Sequence, residues 1–180
     1  HLLGTFQRQN LALLRELNEK HLQSHPQEAE LEARIASYEL AARMQTAASE
    51  ALDIGSETEA THRMYGLDRD ETREYGTRCL IARRLVERGV RFVQLFHAGQ
   101  PWDNHSSIAT ALPGICRKTD QPSAALVKDL KQRGMLDETL VMVLSEHGRT
   151  PRMNRAAGGG RDHWSQAYTC MFAGGGVPRG

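Results

Sequence analysis

Three short clusters in this chain carry the residue types that bind metal ions. Trp102-Asp103-Asn104-His105 follows one apolar run. Ser145-Glu146-His147-Gly148-Arg149-Thr150 follows a second, and Gly160-Arg161-Asp162-His163 precedes a third. Carboxylates and imidazoles are the usual oxygen and nitrogen ligands of zinc and related divalent cations. Asp103 and His105 are two residues apart, so in an extended segment their side chains share a face and can reach one ion. The competing reading is a plain turn, since Pro101, Asp103 and Asn104 are all turn residues.

Glu146 and His147 are adjacent. Where the chain turns at Gly148 they could reach two ions on either side, or they form a polar loop after a buried strand. His163 is a further ligand or an ordinary loop histidine, and Asp162 is its orienting partner or a ligand itself. His97, at the end of the first apolar run, could approach the same place, although a satisfied core histidine is the simpler reading. His1, His21, His25 and His62 lie in helical or loop regions and carry no assignment. Arg149, Arg152, Arg155 and Arg161 cluster nearby. Guanidinium grips phosphate, sulfate or carboxylate with two parallel hydrogen bonds, while solvated surface arginine explains any one of the four equally well.

The elements that must position these residues change character halfway along. Leu11, Leu14 and Leu17 share a helical face within residues 5–22. Ser24, Pro26 and Gln27 then offer a capping serine, an early proline and a capping-box glutamine, and Leu31, Ile35, Tyr38 and Ala42 extend a helix to about residue 51. Residues 53–68 read as a polar loop. Asp68 with Glu71 suggests another cap, and Tyr75, Cys79, Ala82 and Val86 keep the helical period until Gly89 stops it.

Beyond Gly89, residues 90–96 read as a strand. Asp120 and Pro122 start a helix carrying Leu126, Val127 and Leu130, which Gly134 closes. Residues 139–144 are a continuous apolar run of strand length, as expected when helices cover both faces of a sheet. Residues 167–173 make a weaker third strand. Strand, helix, strand at this spacing predicts a right-handed parallel crossover, with ligands gathered beyond the carboxyl ends of the strands. The glycines at 158–160 read as a flexible loop over the site.

Composition narrows the function. A chain of 180 residues holds one ordinary domain. Its net charge of +1 gives no reason to expect nucleic acid or an anionic membrane as partner. Cys79, Cys116 and Cys170 are odd in number and far apart, which argues against a disulfide framework or a thiolate zinc site. No apolar stretch is long enough to span a bilayer. The chain starts at His1 and ends within a glycine run, as a fragment would.

The run Cys79-Leu80-Ile81-Ala82-Arg83-Arg84-Leu85-Val86-Glu87-Arg88-Gly89-Val90-Arg91-Phe92-Val93, the three clusters above, Tyr38-Glu39-Leu40-Ala41-Ala42-Arg43-Met44-Gln45 and Ala173-Gly174-Gly175-Gly176-Val177 together resemble the bacterial domain-of-unknown-function family fifteen-oh-one. That family in turn resembles the alkaline phosphatase and sulfatase superfamily. The resemblance implies a mostly parallel sheet between helices and hydrolysis of phosphate or sulfate esters with one or two divalent metals. It implies Asp103, His105, Glu146, His147 and His163 as metal ligands, with Glu146 and His147 in the place of an Asp-His pair. The Asp-x-His spacing of Asp103 and His105 is shorter than the phosphatase pattern. The nucleophile and its companion aspartate would come from an upstream strand outside this chain, and an exported or periplasmic location would follow.

The expectation is therefore an α/β fold with a mostly parallel sheet between helices and a helical N-terminal half. Residues 1–70 would pack on the sheet, residues 71–180 would hold a partial metal-site core, and both would form one domain truncated at each end. The function expected is a metal-dependent hydrolase of phosphate or sulfate esters. Arg149 or Arg161 would bind the anionic ester, Asp162 would orient a ligand, and Zn or Mn would be the favoured metal, with Ca or Mg possible on an oxygen-rich site. The alternative is a non-catalytic protein of the same scaffold that binds a metal, an anion or a glycan. The oligomeric state is open.

Overall fold

Leucine, glutamine, glutamate, arginine and lysine dominate the first two dozen residues, and all are strong helix formers. In the computed structural model, which describes residues 2–25 and 29–178, they form helix α1, Leu2–Ser24. The ion pairs Arg15–Glu19 at 3.2 Å and Lys20–Glu16 at 2.8 Å support it at helical spacing. Ser24 closes the helix, its hydroxyl donating to the His21 carbonyl at 2.8 Å. Helix α2, Ala29–Leu52, opens on Glu30 and Glu32, acidic groups that suit a helix N-terminus. Its inner face runs through half-buried Leu31, Ile35 and Glu39 rather than the expected Tyr38, and Glu39 lies 3.8 Å from Arg15. His1, Pro26, Gln27, Gly180 and the Ala42 side chain lie outside the described residues.

The chain divides into two compact units, residues 1–50 and residues 51–180. The second unit holds every candidate ligand. Its residues 53–68, expected as loop, contain a 3-10 turn at Ile54–Ser56 and helix α3, Glu59–Met64, whose Thr58 cap accepts from the Thr61 amide. Helix α4, Asp70–Glu87, starts at an Arg69 cap rather than at Asp68, and Gly89 ends it as expected, with φ +83°. Helix α5 covers Ile108–Gln132 and begins twelve residues before the expected start. Pro122 falls in its interior, where it removes one helical hydrogen bond. Ile115, Thr119, Pro122, Ala125 and Asp129 are all buried at helical spacing, so packing carries the helix through the proline.

Tyr65, Cys79, Leu80 and Ala125 form the buried centre between α3, α4 and α5. Gly76 in α4 allows the closest approach there, since a Cβ would sit 2.2 Å from the Tyr65 carbonyl oxygen. An ionic layer lies beside this core. Arg83, 1% exposed, reaches Glu57 at 2.8 Å, Glu87 at 2.6 Å and Asp129 at 2.9 Å. Arg84 also pairs with Glu57, Arg133 holds Asp129 at 2.8 Å, and the Tyr65 hydroxyl donates to Asp129 at 3.0 Å.

The mostly parallel, alkaline phosphatase-like sheet is not what the structure contains. After a 3-10 turn at Leu136–Glu138, strand β1, Leu140–Val143, pairs antiparallel with the last strand, β4, Met171–Gly174, with Leu140 opposite Gly174. Between them β2, Gly148–Arg149, pairs antiparallel with β3, His163–Trp164. Among the described residues these two ribbons are the sheets, and residues 90–96 form no strand. A parallel sheet needs its strands joined across a helix and covered on both faces. Helix α5 does separate residues 90–96 from β1, but the two segments do not pair. Several of their apolar side chains face solvent, Phe92 at 74% exposed, Phe96 66%, Val143 50% and Leu144 56%, while Leu95 packs against the helical core. Among the described residues no helix is long and apolar enough to cross a membrane.

Candidate metal centre

Residues 100–107 lead into α5 in a tight path. The Asp103 amide donates to Gln100, the Asn104 amide to Trp102 and the His105 amide to Asp103, all carbonyls at 3.1–3.2 Å. The turn reading and the ligand reading of Asp103 and His105 are thus compatible: the turns aim both side chains at one point. Ser107, in the left-handed region at φ +49°, starts α5. The first amides of a helix lack internal partners. Here Ser107 and Ile108 donate theirs to Ala157 and Gly159 of the glycine-rich loop.

That loop is tied down along its length. The Arg161 amide donates to Asn104 at 3.0 Å and the Asn154 amide to Gly160 at 2.9 Å. Gly160 is required by contact, since a Cβ would lie 2.0 Å from the His105 carbonyl. Gly160 therefore serves close approach to the Asp103–His105 turn, and Gly158 to Ser107 beside it. The β2–β3 pairing then sets Arg149 directly opposite His163. Opposed residues of an antiparallel pair share a face, and both of these reach Asp103.

The resulting geometry is a near-equilateral triangle of ligand atoms. His163 Nε2 lies 3.0 Å from Asp103 Oδ1, His105 Nε2 lies 3.1 Å from the same oxygen, and the two Nε2 atoms are 3.2 Å apart. Metal–ligand bonds of 2.0–2.2 Å put neighbouring ligand atoms about 2.9 Å apart at octahedral angles and about 3.4 Å apart at tetrahedral ones. The observed edges fall between the two, so one divalent cation fits on this triangle. Two imidazole nitrogens and one carboxylate oxygen suit zinc or manganese.

The surroundings fix the donor atoms. His105 Nδ1 donates to Asp162 Oδ1 at 2.9 Å, because an ionised carboxylate can only accept; its Nε2 lone pair therefore faces the triangle when the ring is neutral. Asp162 thus orients His105, 57 residues away, and not its neighbour His163. Asp103 is held down to about 2, first by the hydrogen bond from His163 and then by Arg149. Asp162 lies below the ordinary aspartate value through hydrogen bonds from His105 and Asn154.

The remaining candidates stand at the edge. The His147 ring packs 4.1 Å from that of His163, and its Nδ1 donates to Gly148 O at 3.1 Å, leaving Nε2 3.5 Å from Glu146 Oε1. Glu146 and His147 are therefore close by, outside the triangle. Arg149 Nη1 sits 2.5 Å from Asp103 Oδ1. Arg161 Nη1 donates to the carbonyls of Thr150 and Pro151 and braces their loop. Arg152 and Arg155 are exposed. His97 stacks on Tyr75 with ring centroids 4.4 Å apart, a packing role.

Sequence reasoning passed over Asn154. Its Nδ2 donates to Asp162 Oδ1 at 2.9 Å and to the His105 carbonyl at 3.0 Å, and its Oδ1 accepts from the Ala156 amide. A turn-forming asparagine between Pro151 and the glycines was the available signal; its partners, up to 49 residues away, left none. A separate open cavity of about 800 Å³ between α3 and α5, bordered by Met64, Gln121 and Lys128, contains none of the candidate ligands.

Because Asp162 and Asn154 hold His105 in the ligating orientation, Asp162→Ala is expected to weaken Zn or Mn binding by about 10- to 100-fold without abolishing it. Calorimetric titration of the variant checks this; an unchanged affinity would remove Asp162 from the site.

No curated protein and no solved structure matches this chain. One family's sequence model matches it over residues 3–180, and the chain belongs to that family, described as Protein of unknown function (DUF1501).

Proposed function

We propose that Asp103, His105 and His163 form a divalent-metal site and that the protein is a metal-dependent hydrolase of phosphate or sulfate esters. The observation that carries this reading is the triangle of three ligand atoms, with its imidazole oriented by a carboxylate. A divalent cation there would polarise an ester oxygen and acidify a hydroxyl nucleophile. Zn or Mn is the favoured ion, Ca or Mg the alternative, and Glu146 with His147 would serve a second ion if two are used. Arg149, beside the triangle, would hold the anionic group of the ester. An exported location accompanies the proposal on the family resemblance alone.

One observation favours the non-catalytic alternative, a metal- or anion-binding protein. The hydroxyls around the cluster donate to backbone carbonyls: Thr150 to Arg152 at 2.8 Å, Ser145 to His147 at 3.1 Å and Ser107 to Ala157 at 3.4 Å. None of the three is poised as a nucleophile. Elemental mass spectrometry after loading with Zn or Mn, followed by a panel of phosphate and sulfate esters, separates the readings. Bound metal with ester hydrolysis supports the hydrolase. Bound metal with no turnover supports the metal binder, and no metal after loading sinks both metal readings and leaves only the anion binder.

A further inference from the structure

Asp103 Oδ1 is fully occupied. A carboxylate oxygen offers two lone pairs, and two donors take them, Arg149 Nη1 at 2.5 Å and His163 Nε2 at 3.0 Å, while His105 Nε2 stands 3.1 Å away. Arg149 is the shortest contact and the only permanent cation among them. Its guanidinium supplies Asp103 with the positive charge that a metal ion on the triangle would also supply.

The two compete for the oxygen. A divalent ion bonded to Oδ1 at about 2.1 Å would lie within about 4.6 Å of an Nη1 that stayed in place, and like charges at that range repel. Oδ1, already the ion's ligand, would have to accept from Arg149 as well. Arg149 is anchored on a two-residue strand, with a further Nη1 contact to the Arg161 carbonyl of only 3.4 Å. Little therefore opposes a swing of the side chain off Asp103. A guanidinium released beside a divalent ion presents a planar fork of donors, the arrangement that grips a tetrahedral oxyanion in bidentate fashion.

We infer that Arg149 is a displaceable occupant of the metal position: it neutralises Asp103 in the metal-free protein, yields that carboxylate to a divalent cation, and then binds a tetrahedral oxyanion. This rests on the reading of the triangle as a metal site and adds a linkage to it. An anion that engages the freed guanidinium opposes its return to Asp103. Anion and cation then strengthen each other's binding by the same factor.

Calorimetric titration of the intact protein with Mn²⁺, with and without saturating inorganic phosphate, tests this. A protein-free blank subtracts direct manganese–phosphate association. In the wild type phosphate is expected to tighten Mn²⁺ binding by roughly 5- to 100-fold, the usual range for coupled sites. Arg149→Gln is expected to bind Mn²⁺ more tightly than wild type without phosphate, and to show less than about a 2-fold phosphate effect. Arg149→Lys, which keeps the charge and loses the fork, should resemble wild type without phosphate and lose most of the linkage. Far-ultraviolet circular dichroism confirms that both variants fold. Mn²⁺ binding by Arg149→Gln that is equal to or weaker than wild type, with the phosphate effect intact, overturns the inference and leaves the metal site standing. Failure of wild type and both variants to bind Mn²⁺ overturns the metal site itself.

Discussion

Asp103→Ala is expected to lower Zn or Mn affinity by more than about 100-fold, beyond the 10- to 100-fold that loss of an orienting partner costs. Asp103 is the hub of the cluster: its Oδ1 alone touches both imidazoles and Arg149. Without it, a cation would meet two neutral nitrogens and an unpaired guanidinium, so the variant loses attraction and gains repulsion. The substitution sits in a partly exposed turn outside the core, so the fold should be kept, as far-ultraviolet circular dichroism would show. Glu146→Ala discriminates between one ion and two. With one ion on the triangle its metal content is that of wild type; with a second ion on Glu146 and His147 it falls by half. Acid also bears on the assignment. A carboxyl group whose folded value is depressed keeps its contribution above the ordinary value and loses it as the pH falls through the folded one. For Asp103 that loss comes near pH 2, so a loss of metal binding well above that pH would not come from protonation of Asp103. Titrations of wild type and Asp103→Ala at pH 7 check the first claim; affinities within 3-fold of one another would remove Asp103 as a ligand.

The helices were legible where their signal was local. Tyr75, Cys79, Ala82 and Val86 announced α4, and Gly89 its end, because periodicity and a left-handed glycine act within a few residues of chain. Pro122 misled: read as a helix start, it lies buried inside a helix, and packing outweighed the missing hydrogen bond. The sheet was illegible for a related reason. An apolar run such as residues 140–143 shows that a strand is favourable but does not name its partner or direction; those depend on where residues 171–174 return. The site divides the same way. Residue types singled out Asp103, His105 and His163, while their convergence required Gly160 to press against His105 and Arg149 to pair opposite His163. Adjacency suggested that Asp162 serves His163, and the fold turned it to His105 instead.

The largest effect on folding is expected at Arg83. Arg83→Met should destabilise the 51–180 unit by about 3–5 kcal/mol, the cost of removing one partner from a buried ion pair. Methionine restores most of the side-chain volume, so the loss is electrostatic rather than a cavity. Glu57 and Asp129, both nearly inaccessible, would be left in low dielectric with fewer cations to meet them. The exposed pair Arg63–Glu59, at 3.3 Å, is the control: Arg63→Ala should cost less than about 0.5 kcal/mol. The pH dependence identifies the cause. Burial pushes the Glu57 carboxyl up, but Arg83 and Arg84 more than offset this and hold it below its ordinary 4.5. Its contribution in the wild type is therefore present above pH 4.5 and lost as the pH falls through the lowered value. In Arg83→Met the burial remains and one of the two offsetting cations is gone, so Glu57 takes up a proton at higher pH than in wild type. Protonation removes the uncompensated charge. The gap in unfolding free energy between wild type and Arg83→Met should accordingly narrow from pH 7 to pH 4, as urea titrations at each pH would show. A gap that is constant across that range would mean that the damage is lost packing, and that the buried guanidinium contributes no more than its volume.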